Sequence, residues 1–258
     1  MKKFSSIFIL SLLYLQIAIA QGTAGEDAKY EYRKLIDMPT AGILDKGNVA
    51  ISSELLPNGT LLAKIEAGIF KNFNIGLSYG GSNIIGSGSP DWYPFPPGVN
   101  LRVRLMDETV IIPAIAIGFD TQGKGEYFED QKRYSVKAPG LFAAASKNFS
   151  LLGYLSLHGV INYSVLEDKD GDNFINLMLG AEKTIGSNFS LLAEYNFALN
   201  DNSTSYFGDG KGYLNLGIRW SIGDGVTIGF DLRDLLQNKK WHPTAADRSL
   251  MIDFIQRI

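Results

Sequence analysis

Residues 188–200 read Asn188-Phe189-Ser190-Leu191-Leu192-Ala193-Glu194-Tyr195-Asn196-Phe197-Ala198-Leu199-Asn200. In an extended chain Phe189, Leu191, Ala193, Tyr195, Phe197 and Leu199 share one face, and Ser190, Glu194, Asn196 and Asn200 share the other. Alternation with period two is the signature of a strand, because successive side chains point to opposite faces. The same pattern sets Phe149, Leu151, Leu155, Leu157, Ile161 and Tyr163 against Ser150, Ser156, His158, Asn162 and Ser164, and Leu214, Leu216, Ile218 and Trp220 against Tyr213, Asn215 and Arg219. These runs last about 10 to 13 residues. Strands of soluble proteins centre on about 5–6 residues, whereas a tilted strand needs about 9–11 to cross a bilayer. The length therefore predicts membrane-crossing strands.

Short polar pairs punctuate the runs: Lys71-Asn72, Asp107-Glu108, Lys147-Asn148, Ser187-Asn188 and Asp224-Gly225, spaced 36, 40, 40 and 37 residues apart. Each interval holds two strands and a longer return loop, which describes an up-and-down antiparallel meander. Closing the meander into a barrel removes its edges. Twelve strands are expected, over 47–56, 60–70, 73–81, 99–106, 109–120, 134–146, 149–165, 173–185, 189–200, 212–221, 226–234 and 248–257. The loops 57–59, 82–98, 121–133, 166–172, 201–211 and 235–247 then lie outside the cell, with both termini on the periplasmic side. Proline removes a ladder donor, so Pro113 inside the fifth strand predicts a bulge near it.

Lys2 and Lys3, the apolar run from Ile7 to Ala20 and the small residues Ala18-Ile19-Ala20 describe a cleaved signal peptide over 1–20. Residues 21–46 follow as a periplasmic leader, and 47–258 as an outer-membrane β-barrel. Export and long alternating strands together point to the outer membrane of a Gram-negative-type bacterium, where a closed barrel satisfies every backbone hydrogen bond. Without the two signal lysines, 22 basic residues face 27 acidic ones, for a net charge of −5. The charges are dispersed, so nucleic acid is not an expected partner. The absence of cysteine excludes disulfides and thiolate metal sites. Outer-membrane lipid is the expected surrounding, and no metal or other cofactor is expected.

The stretches Arg104-Leu105-Met106-Asp107-Glu108, Pro113-Ala114-Ile115-Ala116-Ile117-Gly118-Phe119 and Gly123-Lys124-Gly125 belong together with Tyr134-Ser135-Val136, Ala145-Ser146-Lys147 and the leader sequence Ile36-Asp37-Met38-Pro39-Thr40-Ala41. In these the chain resembles the YjbH-like family of outer-membrane β-barrels. The resemblance implies a non-enzymatic barrel that assists exopolysaccharide export or surface assembly, with polysaccharide and export machinery as partners. A general diffusion pore is the alternative, and an outer-membrane hydrolase a third reading that rests on fold analogy alone.

Four groups of residues are candidates for chemistry. Alternation turns Lys64, Glu66, Arg102, Arg104, Glu182, Glu194, Arg219, Asp231 and Arg233 toward the lumen, since a charge facing lipid near the midplane costs up to about 2–4 kcal/mol. They line either an open polar channel or a filled lumen in which bases and acids pair. His158 with Ser156 and Ser164 offers a serine–histidine combination, but a mid-strand inward position suits a hydrogen-bonded lumen histidine better than a catalytic base. Asp168-Lys169-Asp170-Gly171-Asp172-Asn173 spaces its aspartates as calcium loops do. Leu179 stands where the bidentate glutamate belongs, so a polar hairpin tip is the better reading. Trp92, Tyr93 and Phe95, on a loop stiffened by prolines, could stack on sugar rings, but a place in an interfacial aromatic girdle or in loop packing is the better reading.

Overall fold

The alternating runs pair in chain order. The computed structural model describes residues 22–167, 169–202, 207–241 and 246–258, so the expected signal peptide lies outside the described residues. Twelve strands form the wall: β1 (Asn48–Leu56), β2 (Thr60–Phe70), β3 (Phe73–Ser82), β5 (Gly98–Met106), β6 (Ala114–Asp120), β9 (Gly140–Ser150), β10 (Tyr154–Tyr163), β11 (Asn176–Ile185), β12 (Phe189–Asn196), β13 (Tyr213–Gly223), β14 (Val226–Arg233) and β15 (Asp247–Arg257). Each pairs antiparallel with its neighbours in sequence, and β1 pairs with β15 from Asn48↔Arg257 to Leu55↔Leu250, which closes the barrel. Among the described residues no helix is long and apolar enough to cross a membrane.

The outer surface is apolar across its middle. Ile51, Ile65, Leu77, Leu157, Leu179, Leu191, Ile218 and Ile252 are all exposed. Outward aromatic residues gather toward both ends. Phe70 meets Phe73, and Phe189 stacks on Trp220 at the end bearing the short turns; Tyr79 stacks on Trp92, and Tyr195 meets Phe197 at the end bearing the long loops. Two girdles flanking an apolar band are the outer face of a membrane barrel.

The turn between β9 and β10 corrects one expected break. The chain reverses at Leu151-Leu152-Gly153, with φ of 44° at Leu152 and 92° at Gly153, and not at Lys147-Asn148. Lys147 and Asn148 remain in β9 because the rim accommodates them: Glu108 accepts the Asn148 side-chain N–H and pairs with Lys147 at 3.2 Å. The expected 149–165 strand is therefore the end of one strand, an apolar turn and the whole of the next. Gly153 is the local signal, since a turn with φ above zero favours glycine. The expected strand at 109–120 starts only at Ala114, so Pro113 precedes the ladder and needs no bulge of its own. The irregularity lies across from it, where Leu105 is skipped between Arg104↔Ala116 and Met106↔Ile115.

The outer loops also differ from plain connections. A two-residue strand β4 (Asp91–Trp92) adds to β3, and the expected 121–133 loop and 134–146 strand contain a separate hairpin of β7 (Lys124–Phe128) and β8 (Arg133–Val136). Arg133 is fully buried beneath this end, bonded to Asp170 at 2.7 Å and Asp201 at 2.6 Å.

Residues 22–46 carry the main correction. They were expected to be a periplasmic leader; instead they run through the lumen. The main buried apolar cluster joins Tyr32, Leu35, Ile36 and Met38 of this segment to Phe142, Val160, Met178 and Leu192 on the inner faces of β9 to β12. Each large apolar side chain so buried contributes about 1.5–3 kcal/mol. Gly180 on β11 leaves the space, because a Cβ there would stand 2.4 Å from Leu35 Cδ1. The core of this protein sits inside the barrel and includes the segment.

Candidate functional site: a charged lumen and the segment that fills it

All nine side chains that alternation turned inward lie in the lumen, and most touch the segment. Glu194 on β12 accepts backbone N–H bonds from Ile36 at 2.9 Å, Asp37 at 2.9 Å and Met38 at 3.1 Å. Arg102 on β5 donates through Nη1 to the carbonyls of Arg33 and Gly42, both at 2.7 Å. Arg104 donates to the Ala41 carbonyl and pairs with Glu31. Arg219 on β13 bonds Asp231 on β14 at 2.5 Å and the Leu35 carbonyl at 3.0 Å. Arg233 meets Asp37 at 2.8 Å, and Lys64 on β2 meets Asp120 at 3.1 Å and Glu66 at 3.4 Å. Glu182 accepts from Ser190 at 2.7 Å.

Alternation did not find the opposing half of the network. Arg33 places Nε 3.0 Å from Glu66 and Nη2 3.0 Å from Asp253, while Lys34 pairs with Glu54. Lys124, from the β7–β8 hairpin, reaches into the lumen to the Ile36 carbonyl at 2.7 Å, Glu54 at 2.8 Å and Asp37 at 3.0 Å. One lysine thus ties the loop end of the barrel to the N-terminal segment. The inner positions of Glu54 on β1, Asp120 on β6 and Asp253 on β15 were legible from the same period-two rule. The roles of Arg33, Lys34 and Lys124 were not, because these residues lie outside the wall strands.

Of the two readings of the lumen, the filled one is what the structure shows. A cavity of about 70 Å³ among Lys34, Glu54, Lys64, Arg102 and Asp120 holds a few waters at most. A wider vestibule of about 580 Å³ opens at the turn end, beside Glu31, Arg104 and His158.

The other candidates are placed as follows. His158 is buried, and its Nδ1 lies 2.8 Å from Ser146 Oγ; neither Ser156 nor Ser164 is its partner. Ser156 donates to Asn148, and Ser164 to the Ala138 carbonyl. Ser146 also accepts the Ala41 N–H at 2.9 Å, so the segment occupies the hydroxyl. No acid orients the imidazole, since Nε2 has no hydrogen-bond partner among the described residues. A serine nucleophile needs both a free hydroxyl and an oriented base, and this pair lacks them. The calcium reading fails at Asp170, whose carboxylate is taken by Arg133 and Lys137, both at 2.7 Å; Asp168 lies outside the described residues. Trp92 and Phe95 are exposed, but Tyr93 is 3% exposed. Its hydroxyl donates to the Gly125 carbonyl and its ring packs edge-on against Tyr134, 4.9 Å away, so it belongs to the interior and not to a sugar-facing surface.

Glu167 holds the loop end together. Its carboxylate accepts N–H bonds from Ala138 at 2.9 Å and Tyr134 at 3.2 Å, and burial pushes its pKa up to about 7. The folded state then keeps a proton that the unfolded chain releases above the ordinary glutamate range. Stability from this group is full below about pH 4.3 and is lost as pH rises through about 7. Loops at this end should accordingly be cut faster by protease at pH 8 than at pH 5, after correction for the protease's own pH profile. Glu167→Gln should flatten the difference, and an unchanged profile in that variant would assign the effect elsewhere.

The fold and its lumen define a class: a closed twelve-stranded transmembrane-type β-barrel with an apolar girdled exterior and an ionisable interior. No protein-family model matches the chain, and no curated protein matches it. Among solved structures it is similar to a KdgM porin, with a TM-score of 0.51 and 8% identity over 82% of this chain and 99% of that one. A NanC porin aligns over 81% of this chain and 99% of its own, at 9% identity and a TM-score of 0.44. At such identity the likeness to the KdgM porin is one of fold.

Proposed function

We propose that this chain is a non-enzymatic, porin-like diffusion channel of the outer membrane, closed in this state by its own residues 22–46, with both termini on the periplasmic side. The carrying observation is how the segment is held. Among the described residues, the one backbone–backbone hydrogen bond between residues 28–46 and a wall strand is the Asn48 N–H on the Asp45 carbonyl at 3.0 Å, in the turn that leads the segment into β1. The grip comes from side chains and buried apolar contacts, so the segment can leave while the wall ladder stays whole. Porin-like architecture supports the pore reading, and the polar inner wall would carry solute once the segment moved. Planar-bilayer recording of the full chain tests it: a closed baseline broken by discrete openings is expected. No conductance at any voltage, either here or in the Arg33→Ala variant discussed below, would overturn it.

Assistance to polysaccharide export is a second reading, supported by the YjbH-like resemblance and by exposed Trp92 and Phe95 at the loop end. If it holds, Trp92→Ala and Phe95→Ala should each weaken binding of the bacterium's surface glycan by roughly two- to tenfold, the weight of one aromatic contact. Unchanged binding in the double variant, with normal assembly, would leave only the pore.

A further inference from the structure

Glu66, Asp253 and Glu54 form a staircase of carboxylates along one side of the lumen. Across the β2–β1–β15 pairing, Glu66 lies opposite Ala50, Asp253 opposite Ser52, and Glu54 follows two residues on. Each step is one inward position, about 7 Å along the strand. All three residues are 5% exposed. The wall's own bases reach them only in part: Lys64 stands 3.4 Å from Glu66 and Arg233 3.5 Å from Glu54, with Lys124 of the β7–β8 hairpin 2.8 Å from Glu54. The four acids that alternation turned inward are joined by Glu54, Asp120 and Asp253, against the same five wall bases, and Arg219 is committed to Asp231. Asp253 pairs with no cation of the wall among the described residues; Arg33 is its partner.

The N-terminal segment meets this surface as a ligand would. The Arg33 guanidinium bridges two carboxylates, with Nε on Glu66 and Nη2 within 3.0 and 3.2 Å of the two Asp253 oxygens. The Lys34 ammonium takes Glu54. Arg102 then captures the carbonyl of Arg33 itself. A planar fork spanning two carboxylates, a second cation one residue on and a bonded amide carbonyl between them specify the chemistry.

We propose that Glu54, Glu66, Asp253 and Arg102 form a binding site for guanidinium-bearing basic peptides, which Arg33 and Lys34 occupy from within the chain. The proposal rests on the pore reading for how such a solute would arrive, and the site would make the open lumen cation-selective.

The test uses the full chain carrying Arg33→Gln and Lys34→Gln, which removes the segment's two cations from the staircase and leaves polar side chains in their place. In bilayers under a KCl gradient the reversal potential should show cation preference. An arginyl-lysyl amide should block the current at a concentration roughly tenfold or more below that of its citrulline-norleucine counterpart, as expected for the loss of a charge-assisted hydrogen bond. Adding Glu66→Gln and Asp253→Asn should abolish that advantage. Anion preference, or equal block by the two peptides, overturns the site and leaves the pore reading standing. If no variant conducts, fluorescence anisotropy of a labelled arginyl-lysyl peptide on the detergent-solubilised variant decides. Saturable binding lost with the carboxylate changes supports the site without the pore, and no saturable binding overturns it. If the glutamine variant fails to assemble, the unmodified chain suffices. Millimolar basic peptide should compete with the segment and speed chymotrypsin cleavage at Tyr30 and Tyr32, and equal rates with the neutral peptide overturn the site.

Discussion

Arg33→Ala should release the lumen segment while leaving the barrel assembled. The change strips Glu66 and Asp253 of a cation that both share, at a position 7% exposed. Breaking a buried pair from one side typically costs about 3–5 kcal/mol. The low end of that range applies here, because Glu66 and Asp253 line the cavity of about 70 Å³ and Lys64 stays 3.4 Å from Glu66. Even about 3 kcal/mol moves a two-state equilibrium by roughly a hundredfold. The expected readout is a large rise in open probability in bilayers, together with chymotrypsin cleavage near Tyr30 and Tyr32. Heat-modifiability on gels should be retained, because no hydrogen bond of the strand-to-strand ladder involves the residue. A variant that stays closed and protease-resistant would show that the apolar contacts of Leu35, Ile36 and Met38 hold the segment without the ion pairs.

Leu191→Arg and Ser190→Arg, adjacent on β12, should fail in different ways. Leu191 is 45% exposed on the lipid face, where a guanidinium costs about 2–4 kcal/mol near the midplane. Reduced membrane yield and loss of heat-modifiability are expected. Ser190 faces the lumen, but it is fully buried there, accepting the Gly25 N–H at 3.0 Å and donating to Glu182. An arginine has no room beside residues 23–25, so Ser190→Arg should assemble normally and displace the start of the segment, raising conductance. Equal assembly of the two variants would refute the face assignment. Normal assembly of Ser190→Arg with unchanged conductance would show that residues 23–25 do not contribute to closure.

Much of the barrel was legible in the sequence because a strand's two faces are written into alternate residues. Phe189, Leu191 and Tyr195 against Ser190 and Glu194 fix which side meets lipid, and the same rule turned Arg102, Glu194 and Arg219 inward. Local turn chemistry was less legible. Lys147-Asn148 has the polarity of a turn, yet the chain reverses at Leu151-Leu152-Gly153, since an apolar tip is tolerated at a membrane rim and the backbone angle decides.

What the sequence could not show is what fills the lumen. Residues 22–46 carry no periodicity, and nothing local marks Arg33, Lys34 or Tyr93 as interior. Their burial depends on partners far away in the chain: Asp253 lies 220 residues from Arg33, and Glu194 lies 158 from Ile36. The sequence by itself determined the wall, its closure and the sign of each face, because those follow from repeating local geometry. Only the tertiary structure decided that the lumen is closed and by which residues, because an irregular segment takes its place from the charges and apolar surface that the completed barrel offers it.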